Sequence, residues 1–132
     1  MKMVLLLSLA LPVSAGPSHP ERWYQERVAA SLEGKMEVPV ANGRVDVLTA
    51  SHAIEVEFAS KWKQSIGQAL WYSLQTGKTA GVVLIIEKQE RDAPHAIRLE
   101  SVIAAQKLPI TVWRWPTDFV PAAGIAGPPQ IR

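Results

Sequence analysis

From Arg44 to Thr49 and again from Ala53 to Phe58, apolar and polar residues alternate, a period of two that a strand satisfies and a helix does not. Val45, Val47, Ile54, Val56 and Phe58 then share an apolar face, while Arg44, Asp46, Glu55 and Glu57 share the other. A turn centred on Ala50 and Ser51 sets Asp46 directly opposite Glu55, with Cβ atoms roughly 4.5–5.5 Å apart by antiparallel geometry. Sliding the register by one residue would separate them. Three carboxylates on one small face repel, so either a pKa rises or a cation lies between them. A divalent metal is the simpler answer.

The 132 residues, 48% of them hydrophobic and 20% charged, supply one core and leave no room for a second domain. The N-terminus has the three parts of a secretory signal: Lys2, the apolar stretch Met3 to Leu11, and the small residues Val13-Ser14-Ala15. The expected division is a leader over 1–15, a domain over 16–117 and a Pro/Gly/Ala-rich tail over 118–132. The apolar stretch is shorter than the roughly 20 residues of a spanning helix, so no stable membrane span is expected. Without Lys2 the balance is 13 basic against 12 acidic residues, or +1, and nucleic-acid binding must then rest on a local patch. The lack of cysteine excludes disulfides and thiolate metal sites and fits an exported, periplasmic or secreted, bacterial protein. His19, His52 and His95 lack metal-ligand spacing, and there is no Gly-rich phosphate loop, GxSxG or HExxH.

Along the chain, Pro20 opens a helix to about Leu32 with Trp23, Arg27, Val28, Ser31 and Leu32 inward and Gly34 ending it. Met36 to Val40 reads as a strand joined to the next by Ala41-Asn42-Gly43. Ser60 is placed to cap a helix over Lys61 to Gln75, with Trp62, Ile66, Ala69, Leu70 and Leu74 apolar and Gly77 closing it. Gly81 to Ile86 reads as a strand buried on both faces. A charged loop over Glu87 to Pro94, a helix over His95 to Gln106 and a last strand over Leu108 to Trp115 follow. The fold class is α/β, a sandwich around one mixed sheet.

The runs Gly43-Arg44-Val45-Asp46-Val47-Leu48 and Ala53-Ile54-Glu55-Val56-Glu57-Phe58, followed by Lys61 to Gln68, resemble the PD-(D/E)XK nuclease superfamily, and more narrowly a small exported bacterial branch of it. The resemblance covers about Tyr24 to Trp115. It implies a restriction-endonuclease-like α-β-β-β-α-β-α-β sandwich and Mg²⁺- or Mn²⁺-dependent hydrolysis of phosphodiester bonds in nucleic acid, with DNA as the expected partner. It also implies metal ligation by Asp46, Glu55 and the Val56 carbonyl. Glu57 stands where the superfamily's Lys normally does. The positive charge can migrate to the next helix, where Lys61, Gln64 and Gln68 fall on one face at i, i+3 and i+7. Asp46, Glu55, Glu57, Lys61 and Gln68 are thus the candidate catalytic set.

Plainer states compete with each of these roles. Asp46 and Glu55 can be solvated hairpin acids paired to Arg44 or Lys61, and Glu57 a partner of Lys61 four residues on. Glu26 in the first helix and Glu37 on the first strand are secondary candidates for the acidic group. Trp113 and Trp115 share a face that suits base stacking but more often covers a core. The missing Lys and the near-neutral charge also fit a degenerate member that serves as a binding or structural module of the cell envelope. An inhibitor or envelope interaction protein has only the leader to support it. Oligomeric state is not legible.

Overall fold

The computed structural model describes residues 16–119, so the expected leader and residues 120–132 of the expected tail lie outside the described residues. The elements run α1 (Glu21–Leu32), β1 (Lys35–Val40), β2 (Gly43–Leu48), β3 (His52–Phe58), α2 (Trp62–Thr76), β4 (Thr79–Ile85), α3 (Gln89–Gln106) and β5 (Ile110–Trp115). This is the order expected from the sequence. The strands form one mixed sheet, β1-β2-β3-β4-β5, antiparallel from β1 to β3 and parallel from β3 to β5.

Helices cover both faces of the parallel half, which is why β4 is apolar throughout and buried from Ala80 to Ile85. Alternation divides its side chains. Val82 and Leu84 pack with Ala69, Ala96 and Leu99 beneath α2 and α3, while Val83 and Ile85 pack with Val47, Ile54, Val56, Tyr24 and Val28 beneath α1. Because Ile54, Val56 and Phe58 point to the α1 side, Glu55 and Glu57 between them point to the α2 side. Val45 does not stay with Val47 as alternation predicts; it packs with Ala53 and Tyr72.

Several local expectations are corrected. The buried face of α1 is Tyr24, Gln25, Val28 and Ala29, with Ser31 exposed and Arg27 laid over the Trp23 ring. The left-handed residue closing α1 is Glu33, not Gly34. Gly34 serves close approach instead, because a Cβ there would lie 2.5 Å from Val47 Cγ1. Ser60 does not cap α2; a 3₁₀ turn over Ala59–Lys61 leads into it with no side-chain cap. Leu74 is exposed and the buried face includes Ser65 and Tyr72. Gly77 does close α2 with a positive φ. Trp113 and Trp115 pack against the α1-side core, in line with the core role. The order also extends past residue 117, with Thr117–Phe119 forming a 3₁₀ turn whose Phe119 meets Trp115.

The largest correction is α3, which starts at Gln89 and carries Pro94 within it. Pro94 forfeits one helical hydrogen bond, but Asp92 fixes the start. Its Oδ2 accepts from the backbone N–H of Glu87 at 2.9 Å and of Lys88 at 3.0 Å, and Arg91 Nε donates to Oδ1 at 2.7 Å. Burial raises the Asp92 pKa, yet the Arg91 guanidinium and these two amides outweigh it and hold the carboxyl at about 2. Asp92→Ala should therefore cost about 2–3 kcal/mol, since two N–H groups lose their acceptor, measured by urea unfolding. A depressed folded pKa adds stability above the unfolded value near 3.8 that is lost as pH falls towards 2. The cost of Asp92→Ala should shrink over that window.

Candidate functional site

The hairpin register is the predicted one: Val47 opposes Ile54 and Leu48 opposes Ala53, and one rung further Asp46 stands alongside Glu55. There the β2–β3 ladder stops. Asp46 Oδ2 takes over, accepting the Val56 N–H at 2.8 Å, so a side chain replaces the next backbone partner and the strands part. Val56 thus meets Asp46 through its N–H. Glu55 and Glu57, on the α2 side of β3, are 3% and 6% exposed.

Three carboxylates converge in this opening. One oxygen each from Glu21, Asp46 and Glu55 lies within 4.8 Å of the others. Glu21 was not a sequence candidate. It opens α1 and is half-buried, whereas the sequence candidate Glu26 is exposed and pairs with Arg22 at 3.3 Å. The available signal was its place in the first turn, where an acid meets the positive helix end. Glu37 does not join the group; with φ at 49° it turns to Arg22 at 3.5 Å and Arg44 at 3.4 Å.

From α2, the Gln68 amide donates to Glu55 Oε1 at 2.9 Å and Oε2 at 3.3 Å when its nitrogen faces the carboxylate. Tyr72, one turn on, brings its hydroxyl 3.4 Å from the same amide. It is a second residue missed by sequence reasoning, where it had no acidic neighbour to mark it. Gln64 and Gln68 are both exposed, and of the expected line of Lys61, Gln64 and Gln68 it is Gln68 whose amide reaches Glu55. Lys61 Nζ is 3.9 Å from Glu57 Oε1, and Glu57 also accepts the Phe58 N–H at 3.1 Å. Among the described residues no Lys or Arg forms an ion pair with Glu21, Asp46 or Glu55.

Burial sets the direction in which these groups shift. Burial, then the Asp46 charge, pushes Glu55 far up; burial also raises Asp46, against the pull of the Val56 amide. Burial, with Glu21 adding to it, brings Glu57 to about 7. Glu21 is raised by burial despite Lys61, and Tyr72 by burial and the charges of Glu55 and Asp46. The group therefore retains protons, or takes a cation, at neutral pH. An all-oxygen donor set suits hard divalent ions such as Mg²⁺ or Mn²⁺, and the residues fit such an ion.

No protein-family model matches the chain, and no solved structure matches it. The chain is similar to three KilA-N domain-containing proteins of Acanthamoeba polyphaga mimivirus. One is 35% identical over 65 residues, 47% of this chain and 26% of the relative; a second is 25% identical over 87 residues, 66% and 24%; a third is 40% identical over 52 residues, 39% and 14%. The chain spans about a quarter or less of these relatives' length. They correct the expected description as a secreted or periplasmic bacterial nuclease with a signal peptide: the relatives are viral and named for a KilA-N domain, none as a nuclease or an exported protein. No helix among the described residues is long and apolar enough to cross a membrane.

Because the folded pKa values lie above the unfolded carboxylate range, the native state binds more protons than the unfolded one, and stability falls as pH rises from about 4.5 through the folded values. Glu55→Gln removes that penalty while keeping the shape. In metal-free buffer it should raise stability at pH 7–8 by about 1–3 kcal/mol and flatten the pH dependence of thermal unfolding. An unchanged pH profile would refute the buried-acid description.

Proposed function

We propose that the chain binds nucleic acid at a divalent-cation site, as a binding module built on a PD-(D/E)XK-like sheet. One observation carries this: the Glu21, Asp46 and Glu55 oxygens gather within 4.8 Å of one another, beside the point where the β2–β3 ladder stops. The element order α-β-β-β-α-β-α-β and the sheet order support the fold assignment.

In this proposal Glu21, Asp46 and Glu55 hold Mg²⁺ or Mn²⁺, with the Val56 carbonyl as the further ligand the resemblance implies. When bound, the ion would neutralise phosphate charge. The chain's own groups position. Asp46 holds β3 at the point where the ladder stops by accepting the Val56 amide. Gln68 fixes the Glu55 carboxylate when its nitrogen faces it. Glu57 stands beside these acids as a further ligand, and Lys61 reaches towards the bound phosphate. Export has no part in the proposal.

Binding without bond cleavage is favoured by the Lys61–Glu57 contact of 3.9 Å, which engages the ammonium that cleavage would need. Calorimetric titration with Mn²⁺ and incubation with single-stranded, duplex and branched DNA test the reading. Metal uptake, weakened about 10-fold or more in Asp46→Ala, with every strand left intact, is the expected outcome. Metal-dependent cleavage would overturn the binding module, and no uptake at all would overturn the metal site.

A further inference from the structure

A cavity of about 450 Å³ lies beyond Glu57, at the C-terminal ends of the parallel strands β3 and β4, the edge at which open α/β sheets hold ligands. Phe58, Ile85 and Pro17 supply apolar wall, and Ser60, Lys61, Arg91 and His95 supply polar groups. Its two acids are already satisfied. Asp92 accepts from the Glu87 and Lys88 amides and from Arg91. Glu87 Oε2 accepts from the Ser18 N–H at 2.7 Å and the Tyr24 hydroxyl at 3.1 Å. Arg91 spends Nε and Nη2 on Asp92, and Nη2 also stands 3.9 Å from Glu87 Oε1, which leaves Nη1 without a hydrogen bond among the described residues. Lys61, more than half exposed, has a single long contact to Glu57.

A cavity whose acceptors are consumed internally and which keeps one guanidinium nitrogen, an ammonium and a hydroxyl as donors recognises an anion, and such charge-assisted contacts suit phosphate. Its volume falls within the range of small-molecule pockets, and its apolar wall suits a base or sugar. Lys61 joins it to the carboxylate group, since it touches Glu57 on one side and lines the cavity on the other.

We infer that this cavity receives the phosphorylated terminal nucleotide of a nucleic-acid strand, held by Arg91, Lys61 and His95, so that a neighbouring phosphodiester lies at Glu21, Asp46 and Glu55. This rests on the proposed nucleic-acid function and specifies its substrate as a strand end.

The test is fluorescence anisotropy with Ca²⁺ present, using oligonucleotides of one sequence bearing a 5′-phosphate, a 3′-phosphate or no terminal phosphate, and a circular strand. One phosphorylated form should bind about 10-fold or more tighter than the unphosphorylated and circular strands, as a charge-assisted contact gives. Arg91→Gln and His95→Gln should each shrink that preference while leaving circular-strand binding unchanged. Equal affinity for all four strands would overturn the strand-end pocket and leave the nucleic-acid function standing. Binding of none would overturn both.

Discussion

The Asp46 carboxylate replaces a strand. By accepting the Val56 N–H at 2.8 Å, it satisfies a buried amide that the β2 backbone would otherwise have to meet, and so allows β2 and β3 to part after two paired rungs. Everything at the site follows from that opening. Without it, Asp46 and Glu55 would be cross-strand neighbours on a closed surface, and Glu21 could not enter from α1. With it, three carboxylates become partly or fully buried near one another, and the cost of that burial appears as raised pKa values rather than as ion pairs.

The rest of the fold holds the opening rigid. The parallel half of the sheet is covered on both faces, so β3 is fixed by β4 on one side and by α1 and α2 above and below. The single residue alternation of β3 then places Ile54 and Val56 in one core layer and Glu55 and Glu57 against α2. Gln68 reaches Glu55, and Tyr72 reaches Gln68, because helical spacing puts the two one turn apart on the same face. The acids are thus positioned by regular elements rather than by loops, the arrangement that favours a precise ligand set.

Much of this was legible in the sequence. Period-two alternation and a two-residue turn gave the Asp46–Glu55 pairing, and the β-branched run at residues 81–86 gave the central strand. The failures have identifiable causes. Helix α3 begins early because Asp92 reaches back to two amides, a tertiary choice that overrode the breaker signal of Pro94. Glu26 was preferred to Glu21 because the sequence does not reveal how α1 is rotated about its axis. Glu37 neighbours Asp46 closely enough for its charge to raise that carboxyl, but a left-handed backbone turns its own carboxylate to Arg22 and Arg44. Tyr72 looked like an ordinary core aromatic, and its role emerged only beside Gln68. The expected export and bacterial origin came from the leader pattern, the lack of cysteine and the resemblance to a small exported bacterial branch, and the similar proteins are those of a giant virus.

The central claim is that buried carboxylates from three separate elements form one cation site. An anomalous-scattering map from crystals soaked in Mn²⁺ addresses it most directly. A peak bounded by Glu21, Asp46 and Glu55, with oxygen distances near about 2.1–2.2 Å, is the predicted result. A map with no peak there would contradict the account.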